Sequence, residues 1–209
     1  MIPEIGLFAL ALALAAATFQ AIVPIIGAAR GNAIWMSISK SAARTQFLLI
    51  ATSFACLTQA FIVSDFSVTV VASNSHTLKP MLYKISGVWG NHEGSMLLWA
   101  LILAFFGAAV AVFANSLPST LKARVISIQA MIGCCFLTFI VFTSNPFDRL
   151  DPPPLNGLGL NPILQDPGLA FHPPLLYLGY VGFSVAFSFA IAGLLEEKID
   201  GSWGKWVRP

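Results

Sequence analysis

Residues 5–29 read IGLFALALALAAATFQAIVPIIGAA, a run without a single charged side chain. A helix rises about 1.5 Å per residue, so roughly 20 apolar residues cross the hydrocarbon core of a bilayer. Four further uncharged stretches meet this requirement, at 45–64, 94–121, 125–147 and 167–195. They lack the two-residue alternation of barrel strands. The sequence therefore predicts an all-α polytopic membrane protein with five transmembrane helices.

The composition of the whole chain supports this class. Apolar residues make up 57% of the sequence and charged residues only 10%, whereas a soluble domain carries about 25% charged residues. We expect one membrane domain over residues 1–209, with helices at about 5–28, 46–65, 94–114, 124–144 and 173–195. The loops at 66–93 and 145–172 then share one side of the membrane.

The basic residues predict the orientation of the helices, since inner loops are enriched in Lys and Arg. One side carries Arg30, Lys40, Arg44, Lys122, Arg124, Lys198, Lys205 and Arg208. The other side carries only Lys79, Lys84 and Arg149. The amino terminus and the two long loops should therefore face outward, and the carboxyl end inward.

Several function classes lose support at this stage. The nine acidic residues lie outside the uncharged spans, which disfavours a carboxylate path for protons or ions. Cys56, Cys134 and Cys135 fall within predicted spans at no metal-site spacing, and buried free cysteines usually serve packing. The small positive charge on the inner loops gives no reason to expect a nucleic-acid partner.

The loop at 145–167 is rich in proline, with Pro152, Pro153 and Pro154 in succession. Such density forbids a helix and favours extended structure with turns. Leucines lie between the prolines, unlike in a solvated linker. We expect a stiff, partly apolar shelf on the outer surface; a spacer tucked against the helices is the alternative.

His172 begins the sequence His-Pro-Pro at the predicted start of the fifth span. Pro173 disfavours the helical region for His172, and Pro174 suits a first helical turn. The residues therefore place His172 at the head of this helix on the outer side. A neutral imidazole there could bind a metal, and capping the helix at the interface is the alternative.

A second stretch, Trp89 to Trp99, reads WGNHEGSMLLW. Asn91 can cap a helix, Glu93 complements its dipole, and Gly94 allows close backbone approach. This stretch could be the floor of a pocket for a planar apolar group. The alternative is a capped helix entry with tryptophans at the membrane interface.

The stretch WGNHEGSMLLW and the stretch QDPGLAFHPPLLYLGYVG at 165–182 resemble signatures of the CcmF family of cytochrome c haem lyases. The resemblance runs along nearly the whole chain, and a lyase for a nitrite reductase cytochrome shares it. It implies haem b as substrate, received from the haem chaperone CcmE and joined to apocytochrome c thiols with CcmH-type partners. His172 matches an axial ligand of the haem iron.

The remaining residues of the two motifs are candidates for a haem pocket or for partner contacts: Trp89, His92, Glu93, Trp99, Phe171 and Tyr177. The tryptophan-rich segment and the other histidine ligands of the family are absent after Pro209. We therefore expect an amino-terminal fragment that supplies one axial ligand and is inactive as a lyase by itself. The resemblance implies a bacterial cytoplasmic membrane, or the mitochondrial inner membrane.

Two other functions remain open from the residues. A transporter or channel for haem or a small apolar solute would also need several spans, and it predicts polar residues along a path through the membrane. A structural subunit of an assembly complex would need no catalytic or ligand residues.

Overall fold

The computed structural model describes residues 1–197 and 201–206. Its α-helices are α1 (Ile2–Ala29), α2 (Ala33–Val63), α3 (Thr69–Asn74), α4 (Met81–Ser86), α5 (His92–Phe113), α6 (Ser119–Thr143), α7 (Pro167–Val181), α8 (Phe183–Glu196) and α9 (Gly201–Trp206). Lys198 and Arg208, which the sequence assigned to the inner side, lie outside the described residues.

Five stretches of the described chain are long and apolar enough to cross a membrane, which confirms the predicted number. Four of them are the single helices α1, α2, α5 and α6. The fifth combines α7 and α8, which meet at Gly182. The ends of α1 and α5 agree with the predicted bounds within a few residues, whereas α6 begins at Ser119 and not near residue 124.

The predicted start of the second span near residue 46 is wrong, because α2 begins at Ala33. The charges of Lys40 and Arg44 suggested a loop, but no glycine or proline interrupts residues 33–63. The side chain of Asn32 accepts hydrogen bonds from the backbone N–H groups of Ile34 and Trp35 and so caps the helix. The charged residues Lys40 and Arg44 therefore belong to the first turns of one continuous helix.

Helix α1 continues through Pro24 to Ala29. A proline has no N–H, so the carbonyl oxygen four residues earlier, on Gln20, loses its helical partner. The hydroxyl of Ser127 on α6 donates to this oxygen at 3.1 Å. A side chain of the neighbouring helix thus replaces the missing backbone donor, as a low-dielectric membrane interior demands.

Helices α1, α2, α5 and α6 pack into a bundle, and the α7–α8 span lies against α5 and α6. Fully buried side chains such as Leu10, Ile50, Phe61 and Leu97 fill the bundle core. The α7–α8 span is the least buried of the five. Its inner half is held by Gln129 on α6, which donates to Ser184 and accepts from Ser188.

The outer loops pair with each other. Residues 66 and 67 form a turn after α2, Val68 makes an isolated antiparallel bridge with Arg149, and α3 follows. Leu150 N–H donates to the Ser67 carbonyl, and Thr69 N–H donates to the Asp148 carbonyl. Further along, the N–H groups of Leu158 and Gly159 donate to α3 and the residue after it.

The proline-rich loop is therefore both tucked and exposed, which combines the two predicted alternatives. Its Phe147 and Leu160 are buried, whereas Leu155, Leu158 and Ile163 are exposed on the outer surface. The loop is fixed by backbone hydrogen bonds and still presents an apolar shelf.

Candidate functional site: the outer junction of α5 and α7

The turn before α5 folds closely over the first turn of that helix. Asn91 caps α5 as predicted, because its side-chain oxygen accepts from Gly94 N–H at 2.8 Å. A β-carbon at Gly94 would lie 1.7 Å from the carbonyl oxygen of Val88. Only glycine fits this position, and Trp89 is thereby held at the outer end of α5.

The predicted position of His172 at the head of its helix is wrong. Helix α7 begins at Pro167, and the side chain of Asp166 caps it by accepting from Leu169 N–H at 3.1 Å. His172 lies within the helix, after its first turn, and both Pro173 and Pro174 are inside it. The cap at Asp166 and the proline at the first helical position started the helix earlier than His-Pro-Pro suggested.

A tryptophan from the other motif compensates for one of these prolines. Pro174 leaves the carbonyl oxygen of Ala170 without its helical donor. The indole Nε1 of Trp89 donates to this oxygen at 2.9 Å. The two motifs lie far apart in sequence and meet through this hydrogen bond. One motif supplies the indole donor, and the other supplies the carbonyl oxygen that its proline has freed.

Aromatic side chains extend the junction toward the membrane interior. Ser95 on α5 shares a hydrogen bond with the hydroxyl of Tyr177 on α7. The ring of Trp99 lies 6.5 Å from that of Tyr177 and 5.5 Å from that of Tyr180, centroid to centroid. Phe136 of α6 approaches Trp99 from the other side at 4.1 Å. Ring contacts of this kind stabilise packing beyond the area they bury.

A cavity of about 370 Å³ opens above the junction, which is within the range of ligand pockets. Its walls come from the turn before α5, the proline-rich loop and the start of α7: Ser86, Trp89, Gly90, Asn91, His92, Ser95, Leu160, Leu164, Leu169 and Pro173. The wall is partly apolar, with an imidazole, an amide and hydroxyls among it.

His172 itself is exposed and is not among the residues that line this cavity. One helical turn away on the same face are Gly168, Leu175 and Leu176. Both leucines are exposed, and Gly179 continues the face without a side chain. Phe171 is 59% exposed beside it. His172 is therefore the one imidazole on an apolar face of α7.

The other histidines have different surroundings. His92 is exposed at the start of α5, where its ring meets Phe139 edge-on at 6.1 Å. His76 lies in the turn before α4 and accepts the backbone N–H of Leu78 on its Nδ1. Within the described residues, no three histidine, cysteine or acidic side chains come together as metal ligands.

The junction thus unites some of the predicted site residues and separates others. Trp89, Trp99 and Tyr177 meet between α5 and α7, while His92 joins Trp89 at the cavity. Phe171 is exposed and stands outside that group, and Glu93 is half-buried outside the cavity wall. Sequence reasoning missed Ser95, Phe136 and the Ala170 carbonyl. Only the Ala170 carbonyl had a signal in the sequence, because Pro174, four residues later, cannot donate to it.

A buried lysine of the outer loops, Lys79, packs against the turn before α5. The Nζ of Lys79 donates to the carbonyl oxygen of Asn74 at 2.8 Å, and the side chain is only 8% exposed. Burial, together with the positive charge of Lys84, lowers the pKa of Lys79 from 10.5 to about 8. A β-carbon at Gly87 would lie 2.7 Å from the same Nζ. The turn before α5 is therefore in close contact with this amine at Gly87.

Comparison with known proteins is consistent across sequence and fold. The chain is 61% identical over its whole length to the cytochrome c-type biogenesis protein ccl1 of Rhodobacter capsulatus. It is 50% identical over its whole length to the cytochrome c-type biogenesis protein CcmF of Escherichia coli. In both comparisons the match covers 32% of the relative, so the chain spans about a third of the length of these proteins.

A solved structure, titled cytochrome c heme lyase CcmF, has the same fold with a TM-score of 0.87. It is 24% identical, and the match covers 99% of this chain and 32% of that one. Residues 89–208, which contain both motifs of the junction, match the family model described as cytochrome C assembly protein. This multi-pass membrane chain therefore belongs to the cytochrome c assembly protein family.

Proposed function

We propose that this chain is the amino-terminal part of a cytochrome c haem lyase and that His172 is an axial ligand of the haem iron. The observation that carries the proposal is the position of His172 on an exposed apolar face of α7, with Leu175 and Leu176 on the adjoining turn. A haem is a flat, largely apolar ring with one iron, and a lone imidazole on such a face suits its recognition.

The junction with α5 supports this role by fixing the helix that carries the ligand. Trp89 and Ser95 hold the outer half of α7 through hydrogen bonds to Ala170 and Tyr177. The imidazole is thus presented from a rigid element. Catalysis in this proposal is mainly positioning: iron ligation holds the vinyl edges of haem b toward the thiols of apocytochrome c.

The proposed partners follow from the same reaction. Haem would arrive from a chaperone of the CcmE kind on the outer face, and CcmH-type subunits would present the apocytochrome. The exposed Leu155, Leu158 and Ile163 of the proline-rich loop offer an apolar surface for such contacts. In this proposal the membrane is the bacterial cytoplasmic membrane, and the mitochondrial inner membrane is the alternative.

The transporter alternative gains no comparable support. It predicts polar side chains that line a path, but two of the three buried glutamines of the described bundle bond to neighbouring helices. Gln20 donates to the carbonyl oxygen of Ile126, and Gln129 bonds to Ser184 and Ser188. These contacts favour a packing role for the polar groups within the spans.

The test is the haem absorption spectrum of the detergent-purified parent protein, compared with its His172→Gly variant. We expect the haem signal to weaken in the variant and to return when imidazole is added. His76→Gly is the matched control, because the Nδ1 of His76 is already used by a backbone N–H. A His172→Gly spectrum equal to the native one would overturn the ligand assignment.

A further inference from the structure

A small polar pocket lies at the opposite end of the bundle, on the side with most of the basic residues. Its volume is about 170 Å³. It lies between the start of α2, the segment that connects α5 to α6, and the start of α6. Its walls are Ala33, Met36, Ser37, Ser39, Lys40, Asn115, Leu117, Ser119 and Lys122. None of the side chains described around the pocket is acidic.

Lys122 is the unusual member of this wall. Its side chain is only 4% exposed, and its Nζ has no hydrogen-bond partner among the described residues. Leaving an ammonium group buried without a counterion is strongly unfavourable, so such groups are found paired. An amine in this position indicates an anion that completes the pocket.

Other groups around the pocket favour an anion as well. Lys40 lines the same pocket, and Arg44 lies one helical turn further along α2. Helix α6 begins at Ser119 without any side-chain cap, so the first backbone N–H groups of a long helix are free. The hydroxyl of Ser119 adds a further donor, whereas those of Ser37 and Ser39 already donate to carbonyl oxygens of α2. Several donors converging from three sides suit the oxygens of a phosphate group.

An apolar groove follows the pocket along α2 and lies between α2 and α5. It has a volume of about 310 Å³ and is lined by Arg44, Phe47, Leu48, Phe105, Ala108, Ala109, Val112 and Phe113. Arg44 is the only charged residue among the described residues that line it. On α2 the wall passes from Lys40 in the pocket to Arg44 in the groove. On α5 the groove ends at Phe113, and Asn115 of the pocket lies two residues further along the chain.

This order of surfaces matches the order of groups in a phospholipid. The pocket would take the phosphate at the membrane surface, and the groove would take an acyl chain within the hydrocarbon region. No described acidic side chain is available beside the pocket for the ammonium of a zwitterionic headgroup. The site should therefore prefer a phospholipid with net negative charge.

We propose that an anionic phospholipid binds here, with its phosphate at the buried Lys122 and Lys40 and one acyl chain in the groove between α2 and α5. The bound lipid neutralises a buried charge and covers an apolar surface at once. The site is independent of the haem-lyase proposal, because it lies at the other end of the helices from His172.

The test uses the full-length parent protein in detergent and measures its thermal unfolding midpoint with added phosphatidylglycerol, phosphatidylcholine or inorganic phosphate. We expect phosphatidylglycerol to raise the midpoint by several degrees and the other two additions to raise it much less, since a ligand of the folded state stabilises by mass action. An equal rise with phosphatidylcholine or with inorganic phosphate would overturn the proposal.

Three variants locate the effect. Lys122→Gln removes the buried charge, and Ala109→Phe fills the groove without touching the pocket; each should abolish the rise with phosphatidylglycerol. Lys205→Gln removes one exposed positive charge on α9 and should leave the rise unchanged. A full response in Lys122→Gln, or a response lost equally in Lys205→Gln, would show that the lipid acts elsewhere. Because the amine of Lys122 has no hydrogen-bond partner in the described part of the chain, its replacement should not prevent folding.

Discussion

The indole N–H of Trp89 donates to the carbonyl oxygen of Ala170, and this bond joins the outer ends of α5 and α7. The bond exists because Pro174 cannot offer its own N–H to that oxygen. Gln20 and Ser127 repeat the same relationship between α1 and α6, where the proline is Pro24. In both places the hydrogen bond from the remote donor is needed only because a proline lacks its N–H. This dependence can be measured.

Trp89→Phe should destabilise the protein, because the Ala170 carbonyl loses its donor in a partly buried position. A lost hydrogen bond of this kind costs about 1–2 kcal/mol. In a Pro174→Ala background, the new backbone N–H can bond to the same carbonyl, so the cost of Trp89→Phe should shrink. Thermal or denaturant unfolding of the four proteins in detergent forms a double-mutant cycle. Additive effects of the two changes would contradict the proposed dependence.

Gly94→Ala should disrupt the turn before α5, since its β-carbon would lie 1.7 Å from the Val88 carbonyl oxygen. Overpacking typically costs about 1–3 kcal/mol, and backbone atoms cannot yield as side chains do. Gly179→Ala is the control, because nothing lies within 4 Å of its added carbon. The unfolding midpoint should fall clearly for the first variant and stay near the native value for the second. Similar midpoints for the two would refute the close approach.

Lys79 should make stability depend on pH. Its pKa is about 8 in the folded protein and about 10.4 in an unfolded chain. Above pH 8 the folded state binds fewer protons than the unfolded state, so stability should rise as the pH increases from about 8 to about 10. Below pH 8 the cost of burying the charge is fully present. Unfolding midpoints across this range should rise in the native protein.

The Lys79→Met variant separates this effect from other titrations. It should flatten the rise between pH 8 and pH 10, because its side chain carries no proton in this range. Lys205→Met, at an exposed position, should keep the native pH profile. An unchanged slope in Lys79→Met would assign the pH dependence to other groups.

Arg149 should control how firmly the proline-rich loop is held. Its guanidinium pairs with Glu4 of α1 and with Asp65 after α2, and its neighbour Leu150 donates to the Ser67 carbonyl. Arg149→Gln should change the global unfolding midpoint little, since exposed ion pairs contribute little. Amide hydrogen exchange at Leu150 and Thr69 should become faster. Native exchange rates at both amides would show that the backbone pairing alone fixes the loop.

The spans were predictable because uncharged runs of sufficient length have one solution in a bilayer. The cap at Asn91 was predictable because amide side chains at that position have a strong preference. The donors for the two freed carbonyls were not, because Trp89 and Ser127 are remote in sequence from Ala170 and Gln20. Which side chain donates to a carbonyl freed by a proline depends on how the helices pack.

Two errors have a common cause. The late start assigned to α2 and the helix-head position assigned to His172 both gave too much weight to single residues, Lys40 and Pro173. The caps at Asn32 and Asp166 decided both helix starts. The pocket at Lys122 was also beyond sequence reasoning, which placed this lysine in a loop open to water rather than in the first turn of a buried helix face.

The α7–α8 span is tied to the bundle by polar contacts at both ends. Trp89 holds Ala170 near one membrane surface, and Gln129 with Arg124 holds Ser184 and Glu196 toward the other. A slide by one helical turn would move the span by about 5.4 Å and break all of these contacts together. Contacts at both ends of the span therefore fix the depth of His172 relative to the bilayer surface.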